Sequence, residues 1–135
     1  MMNINDNIPE ILKNFKNVAI VGVSDKPFRS SYGIANFLMS AGFRIIPVNP
    51  GLDLVLGEKC YPSLLEVTIP VEIVNIFRRP EYVVELVDQA IQIKAKVIWM
   101  QTGVINKKAA EKAVNAGLFV VMDRCIKVEY RKYFL

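Results

Sequence analysis

The sequence predicts an α/β fold on a parallel sheet, and three observations carry that reading. Short apolar runs recur along the chain: Val18 to Gly22, Arg44 to Val48, Val71 to Phe77, Lys96 to Met100 and Leu118 to Met122. A run without polar alternation is what a strand buried on both faces requires. Between the runs lie segments whose apolar residues repeat at helical spacing, and the joins are short and marked by Gly, Pro and Asn. Strands that alternate with amphipathic helices over short joins fold as βαβ units, which makes the sheet parallel. At 135 residues the chain has the size of one ordinary domain, so 1–135 is read as a single unit without linker or repeat.

Each element has its own local warrant. Ile8, Ile11, Leu12 and Phe15 share a helical face, with Asn7 as the expected N-cap and Pro9 in the first turn. After the first strand, the loop from Val23 to Ser31 feeds a helix carrying Ile34, Phe37, Leu38 and Ala41, closed by Gly42. The second strand stops at Asn49-Pro50-Gly51. Ser63-Leu64-Leu65-Glu66 has the spacing of a capping box, so a short helix or turn is expected after Pro62. Pro80 opens a helix with Val83, Leu86, Val87, Ala90 and Ile91 on one face. Asn106 caps one with Ala109, Ala110, Ala113 and Val114, ended by Gly117. The tail from Asp123 is basic and aromatic; Tyr130, Tyr133 and Phe134 are expected to fold down onto the body or to meet a second copy.

Composition removes whole classes of function. No apolar run approaches the roughly 20 residues that span a bilayer, and Met-Met-Asn-Ile-Asn-Asp is not a secretory start, so a soluble cytoplasmic protein is expected. A net charge of +4 suits a small anion and is too slight for nucleic acid. The chain contains no histidine, and its two cysteines, Cys60 and Cys125, stand far apart. That leaves nothing to build a zinc site from, and no Ser-His or Cys-His nucleophile pair.

In an open parallel sheet, ligands sit beyond the carboxyl ends of the strands. Gly22 permits a tight turn and close approach of a ligand, so a β-branched residue there is expected to abolish binding with little loss of fold. Ser24, Lys26, Arg29, Ser30 and Ser31 then bring hydroxyls and cations to a helix N-terminus, where orphan N–H groups favour phosphate. A plain βα turn with a helix cap has the same spacing. The dinucleotide fingerprint is not met, because its second and third glycines fall on Ser24 and Pro27, and Asn49 stands where a ribose-binding carboxylate belongs. There is no Gly-Lys-Ser/Thr either. The pattern is that of a phosphate-binding Rossmann variant. Phe77-Arg78-Arg79-Pro80 sets two guanidiniums at a strand end, suited to phosphate or to adenine stacking, unless both are simply solvated. Gln101-Thr102-Gly103 ends the next strand, Trp99 reads as core, and Cys125 is either a thiol beside Arg124 or a buried, inert one.

Taken in order, Val18 to Ser24, Ser31 to Ala35, Ile46 to Pro50, Gly57 to Leu64, Phe77 to Pro80, Trp99 to Gly103 and Asp123 to Glu129 resemble the small stand-alone CoA-binding domain proteins. These are relatives of the CoA-binding domain of the succinyl-CoA synthetase α subunit. The resemblance implies a five-stranded parallel sheet of order 3-2-1-4-5 in a Rossmann-like three-layer sandwich, with coenzyme A across the strand ends. It implies that Gly22, Val23, Ser24 and the loop through Lys26, Arg29, Ser30, Ser31 and Tyr32 to Gly33 hold the diphosphate. Asn49 and Pro50 would line the nucleotide, Phe77, Arg78, Arg79 and Pro80 would flank the adenosine, and Gln101 and Gly103 would face the pantetheine. Tyr130 stands where the resemblance leads one to expect histidine. The phosphorylated histidine of the synthetases lies in a second domain, so their ligase activity does not carry over.

The function expected is therefore binding of coenzyme A or an acyl-CoA as a stand-alone module without catalysis, with room for a protein partner or a homodimer. A second reading is an enzyme or subunit using an NAD-type dinucleotide; a third is an interaction domain that has lost its ligand. For a thioesterase-like activity, the only acid–base pairings on offer are Asp25 beside Ser24 and Asp123 near Cys125.

Overall fold

A computed structural model describes residues 3–135. Five strands form the main sheet: β1 (Asn17–Val21), β2 (Arg44–Val48), β5 (Ile73–Ile76), β6 (Val97–Met100) and β7 (Phe119–Val121). Their order is β2-β1-β5-β6-β7 and every pairing is parallel. Between β2 and β5 the chain makes a small antiparallel ribbon, β3 (Leu54–Val55) with β4 (Glu58–Lys59), which the sequence reading did not anticipate. Tyr61 then adds a parallel bridge to Val48 on the outer edge of β2. Counting that bridge as the third rank, the sheet reads 3-2-1 and then β5 and β6 as 4 and 5, with β7 beyond them, consistent with the expected 3-2-1-4-5. The run 71–77 thus lies beside β1, in the fourth rank.

Helices cover both faces, giving a three-layer α/β Rossmann-like fold. On one side α3 (Val83–Gln92) and α4 (Lys107–Asn115) bury Val83, Leu86, Val87, Ala90, Ala109, Ala110 and Ala113 against Ala19, Val21, Val74, Ile76, Ile98 and Met100. On the other, α1 (Ile8–Asn14), α2 (Ser30–Ser40) and α5 (Ile126–Phe134) pack on Val18, Ile20, Ile73, Val97, Trp99 and Val121. The all-apolar strands are explained directly, since both pleat faces are covered. Fully buried Trp99 satisfies its ring by donating Nε1–H to the Arg124 carbonyl at 2.8 Å.

Asn106 caps α4 as expected, its Oδ1 accepting from Ala109 N–H at 2.9 Å. Two other caps differ. Asn7 precedes α1 but its side chain caps nothing; only its carbonyl accepts, from Ile11 N–H. Ser63 to Glu66 forms a single 3-10 turn in which the Ser63 hydroxyl meets the Glu66 carboxylate at 3.3 Å instead of the backbone. The tail does fold down through Tyr130, which lies among Phe37, Phe43 and Phe134 with ring centroids 5.2–5.8 Å apart. Tyr133 and Phe134 keep 43% and 40% of their surface exposed.

Candidate functional site

The chain turns from one half of the sheet to the other between β1 and β5, and a cleft opens there above the strand ends. It holds about 460 Å³ and is lined by Gly22, Val23, Ser24, Asp25, Lys26, Arg29, Ser30, Ser31, Asn49, Leu52 and Phe77. Gly22 has φ +87°, and a Cβ added to it would lie 2.6 Å from the Phe77 carbonyl oxygen, so glycine is what lets β1 and β5 end side by side. The loop is braced from within. Ser24 N–H donates to the Ser31 hydroxyl at 2.9 Å, and Lys26 N–H donates to the Ser24 hydroxyl at 3.0 Å. Ser31 is buried and acts as a brace, while Ser24 keeps its hydroxyl proton for a ligand. At the start of α2, Gly33 N–H is the first to find a helical acceptor, Arg29 O at 3.2 Å. The N–H groups of Ser30, Ser31 and Tyr32 are left at the positive end of the helix, with the exposed cations Lys26 and Arg29 beside them.

Asn49 closes the opposite wall. Its Nδ2 donates to the Val23 carbonyl and its Oδ1 accepts from Gly51 N–H, both at 2.9 Å. Both ends of the amide are engaged in joining two loops. Its carbonyl takes the Cys60 thiol at 3.6 Å, and burial pushes that thiol's pKa above its ordinary 9.0.

A second cleft of about 530 Å³ continues from the first, sharing Ser30 and Phe77. Its other walls are Ile34, Arg78, Arg79, Pro80, Gln101, Thr102, Gly103, Val104 and Cys125. Arg78 is half-buried and stacks on Tyr82, with 4.4 Å from guanidinium to ring centroid, whereas Arg79 is exposed. Gln101 is buried, and its Oε1 accepts from Ile126 N–H, the first residue of α5, at 2.9 Å. The Asp123 carboxylate accepts from Gly103 N–H at 2.8 Å, tying the loops after β6 and β7 together.

Of the residues singled out from sequence, Gly22, Val23, Ser24, Lys26, Arg29, Ser30, Ser31 and Asn49 meet in the first cleft, Phe77 in both, and Arg78, Arg79, Pro80, Gln101 and Gly103 in the second. Three line neither. Tyr32 packs its ring into the core beneath α2, Gly33 sits exposed one turn into that helix, and Pro50 faces a separate hollow with Leu64 and Tyr82. Lining residues absent from the sequence-based set are Asp25, Leu52, Ile34, Thr102, Val104 and Cys125. Asp25 and Thr102 lie inside segments that strand-end reasoning marked. Leu52, Ile34 and Val104 are apolar and carry no local signal. Of the groups weighed for catalysis, the Asp123 carboxylate accepts from Gly103 N–H, and the Ser24 hydroxyl accepts from Lys26 N–H.

With this geometry in place, the comparisons with known proteins are decisive. The model of the CoA binding domain family matches residues 16–131. The chain belongs to that family. It is 42% identical over 123 residues to the uncharacterized protein YneT of Bacillus subtilis, covering 91% of each. It is 35% identical over 97 residues to an ADP-forming acetate–CoA ligase II of Archaeoglobus fulgidus, but there it spans only 14% of the relative's length. Among solved structures, a hypothetical protein from Pyrococcus horikoshii superposes with a TM-score of 0.93 at 40% identity, covering 96% of this chain and 92% of that one. The similarity to the ligase is thus confined to a domain-sized part of a much longer protein.

Proposed function

We propose that this protein binds coenzyme A or an acyl-CoA as a stand-alone module in the cytoplasm and catalyses no reaction of its own. The observation that carries the proposal is the continuity of the two clefts through Ser30 and Phe77. One end offers hydroxyls, helix N–H groups and cations, which suit a diphosphate. The other offers Phe77, Ile34, Pro80 and Val104 with a few polar groups, which suits the less polar pantetheine arm. Membership of the CoA binding domain family supports the same ligand. Among the described residues no helix is long and apolar enough to cross a membrane.

The competing dinucleotide reading is disfavoured by Asn49, whose amide is engaged at both ends and has no carboxylate to offer a ribose. The binding-only reading draws support from the absence of histidine in the sequence and from Asp123, whose carboxylate ties down Gly103 N–H. Isothermal titration with CoA, ADP, pantetheine and NADH tests the assignment. CoA is expected to bind, ADP to compete with it, and pantetheine and NADH to compete poorly. Competition by pantetheine equal to that by ADP would remove the diphosphate from its proposed place, and tighter binding of NADH than CoA would favour the dinucleotide reading. Incubation with acetyl-, succinyl- and longer acyl-CoAs is expected to release no thiol above background.

A further inference from the structure

We propose that Cys125 is a thiol-exchange residue that forms a reversible mixed disulfide with the sulfur of coenzyme A. The inference rests on the reading of the joined clefts as the coenzyme site. It starts from the contrast between the two cysteines. Cys60 is buried and its thiol is held on the Asn49 carbonyl. Cys125 is half-buried and lines the second cleft alongside Gln101 and Gly103, whereas the cations of the phosphate loop line the first. A ligand whose diphosphate lies over Ser24 to Ser31 and whose arm follows the second cleft brings its terminal sulfur to the wall that holds Cys125.

Two further features suit this wall to a ligand. Cys125 is the N-cap of α5, and its carbonyl accepts from Glu129 N–H, but its side chain makes no cap bond. The thiol is left uncommitted. Gln101 is only 5% exposed and lines the same cleft. Its Oε1 is taken by Ile126 N–H, and its Nε2 has no protein acceptor among the described residues. Among the described residues the fully buried side-chain atoms without a partner belong to Asn75, so the Gln101 Nε2 is open to the cleft, where it can donate to a carbonyl of a pantetheine arm. The backbone bearing Cys125 is also fixed from three sides: Arg124 O accepts from Trp99 Nε1, Arg124 N–H reaches Met100 O at 3.3 Å, and Asp123 holds Gly103 N–H. The thiol is therefore presented from an anchored turn.

The step is a thiol–disulfide exchange with a CoA disulfide. The Cys125 thiolate attacks one sulfur of CoA–S–S–CoA, and the S–S bond breaks as the Cys125–S–S–CoA bond forms. The second CoA leaves as a thiolate and takes up the proton that Cys125 gave up. No other oxidant is consumed; CoA thiolate runs the step backwards, and a reducing dithiol instead frees the thiol and CoA while it is itself oxidised to a disulfide. In this form the protein reports the ratio of CoA disulfide to CoA thiol.

The test is to incubate purified protein with CoA disulfide and to follow intact mass and peptide maps. The expected product is heavier by one CoA less two hydrogens, with the adduct on Cys125 and none on Cys60, and dithiothreitol removes it. ADP is expected to slow adduct formation by at least about tenfold, because the nucleotide end supplies the effective concentration. Cystamine, a disulfide without a nucleotide, is expected to react at least about tenfold more slowly and to be indifferent to ADP. Cys125→Ser should gain no adduct; mapping the adduct on the parent protein gives the same answer should the variant misfold. If CoA binds by calorimetry and no adduct forms on Cys125, or if cystamine matches CoA disulfide and ADP protects against neither, the inference is overturned while the binding reading stands. If CoA itself fails to bind, the cleft reading has failed and takes this inference with it.

Discussion

Replacing Gly22 by alanine tests how the two central strands are locked together at the mouth of the cleft. Two costs follow from the structure. The residue has φ +87°, where a side chain costs roughly 1–2 kcal/mol. The new Cβ would also stand 2.6 Å from the Phe77 carbonyl oxygen and 3.0 Å from Arg78 Cδ, and the first of these is backbone of a paired strand. Forcing β5 aside is an overpacking strain of about 1–3 kcal/mol. Together these predict a loss of about 2–5 kcal/mol from a total that is typically about 5–15 kcal/mol. This revises the expectation from sequence that a side chain at Gly22 spoils binding while sparing the fold, since the close neighbour is the next strand. The assay is urea unfolding followed by circular dichroism, with a lowered midpoint at unchanged slope. Gly33→Ala is the internal control: it lies in α2 with nothing within 4 Å of a new Cβ, so it should gain about 0.5–1 kcal/mol. A Gly22→Ala protein within about 0.5 kcal/mol of the parent, a range typical of inert surface changes, would refute the argument.

Other expectations follow from single contacts. Arg78→Ala and Arg79→Ala should each weaken CoA binding by about 1–3 kcal/mol if their guanidiniums bond a phosphate, and the double variant should bind more weakly than either; titrations unchanged in all three would take this segment out of the site. Cys60 holds its proton to higher pH when folded than when unfolded, so its contribution is present below pH 9.0 and is lost as pH rises beyond it. Cys60→Ala should flatten the fall of stability above that pH, and an unchanged slope would count against the burial argument. Asn75 is fully buried with neither side-chain polar atom bonded within the protein, between Ile20 and Trp99. Asn75→Leu is therefore expected to raise stability by about 1–3 kcal/mol, and a clear loss would reveal a bonding partner in solution.

Where the sequence was legible, a local rule coincided with the global fold. The apolar strands and the Asn106 cap read correctly because each depends on near neighbours in the chain, whereas what Gly22 must clear is Phe77, on another strand end. The β3–β4 ribbon was not legible: its strands are two residues each, too short for any period to show. The Ser63 box yields its short turn but not its cap, because the turn is only three residues long and the Ser63 hydroxyl meets the Glu66 carboxylate instead of a backbone N–H. In the site, charged and hydroxylic residues of the strand-end loops were found by type. Tyr32 and Pro50 fall outside the two clefts because side-chain direction is set by packing, which lays Tyr32 partly buried against the core and Pro50 toward Leu64. Ile34 and Val104 were missed because an apolar cleft wall and a core residue look alike in sequence.

The pleat itself explains which residues meet over the cleft. Ile20, Asn75, Trp99 and Val121 stand in one row across β1, β5, β6 and β7. Ile20, Trp99 and Val121 pack toward α1, α2 and α5. Side chains in a strand repeat their direction every second residue, so the next row on that face is Gly22, Phe77, Gln101 and Asp123. Three of these line the clefts, and the fourth holds Gly103, which does. The alternate row, Val21, Ile76 and Met100, faces α3 and α4 and is closed by core. The site therefore opens on the α2 and α5 side because that face ends its rows in a glycine and in groups too large or too polar to pack down. The helix N-terminus at the first cleft is accordingly that of α2, and the one at the second is that of α5, where Cys125 stands.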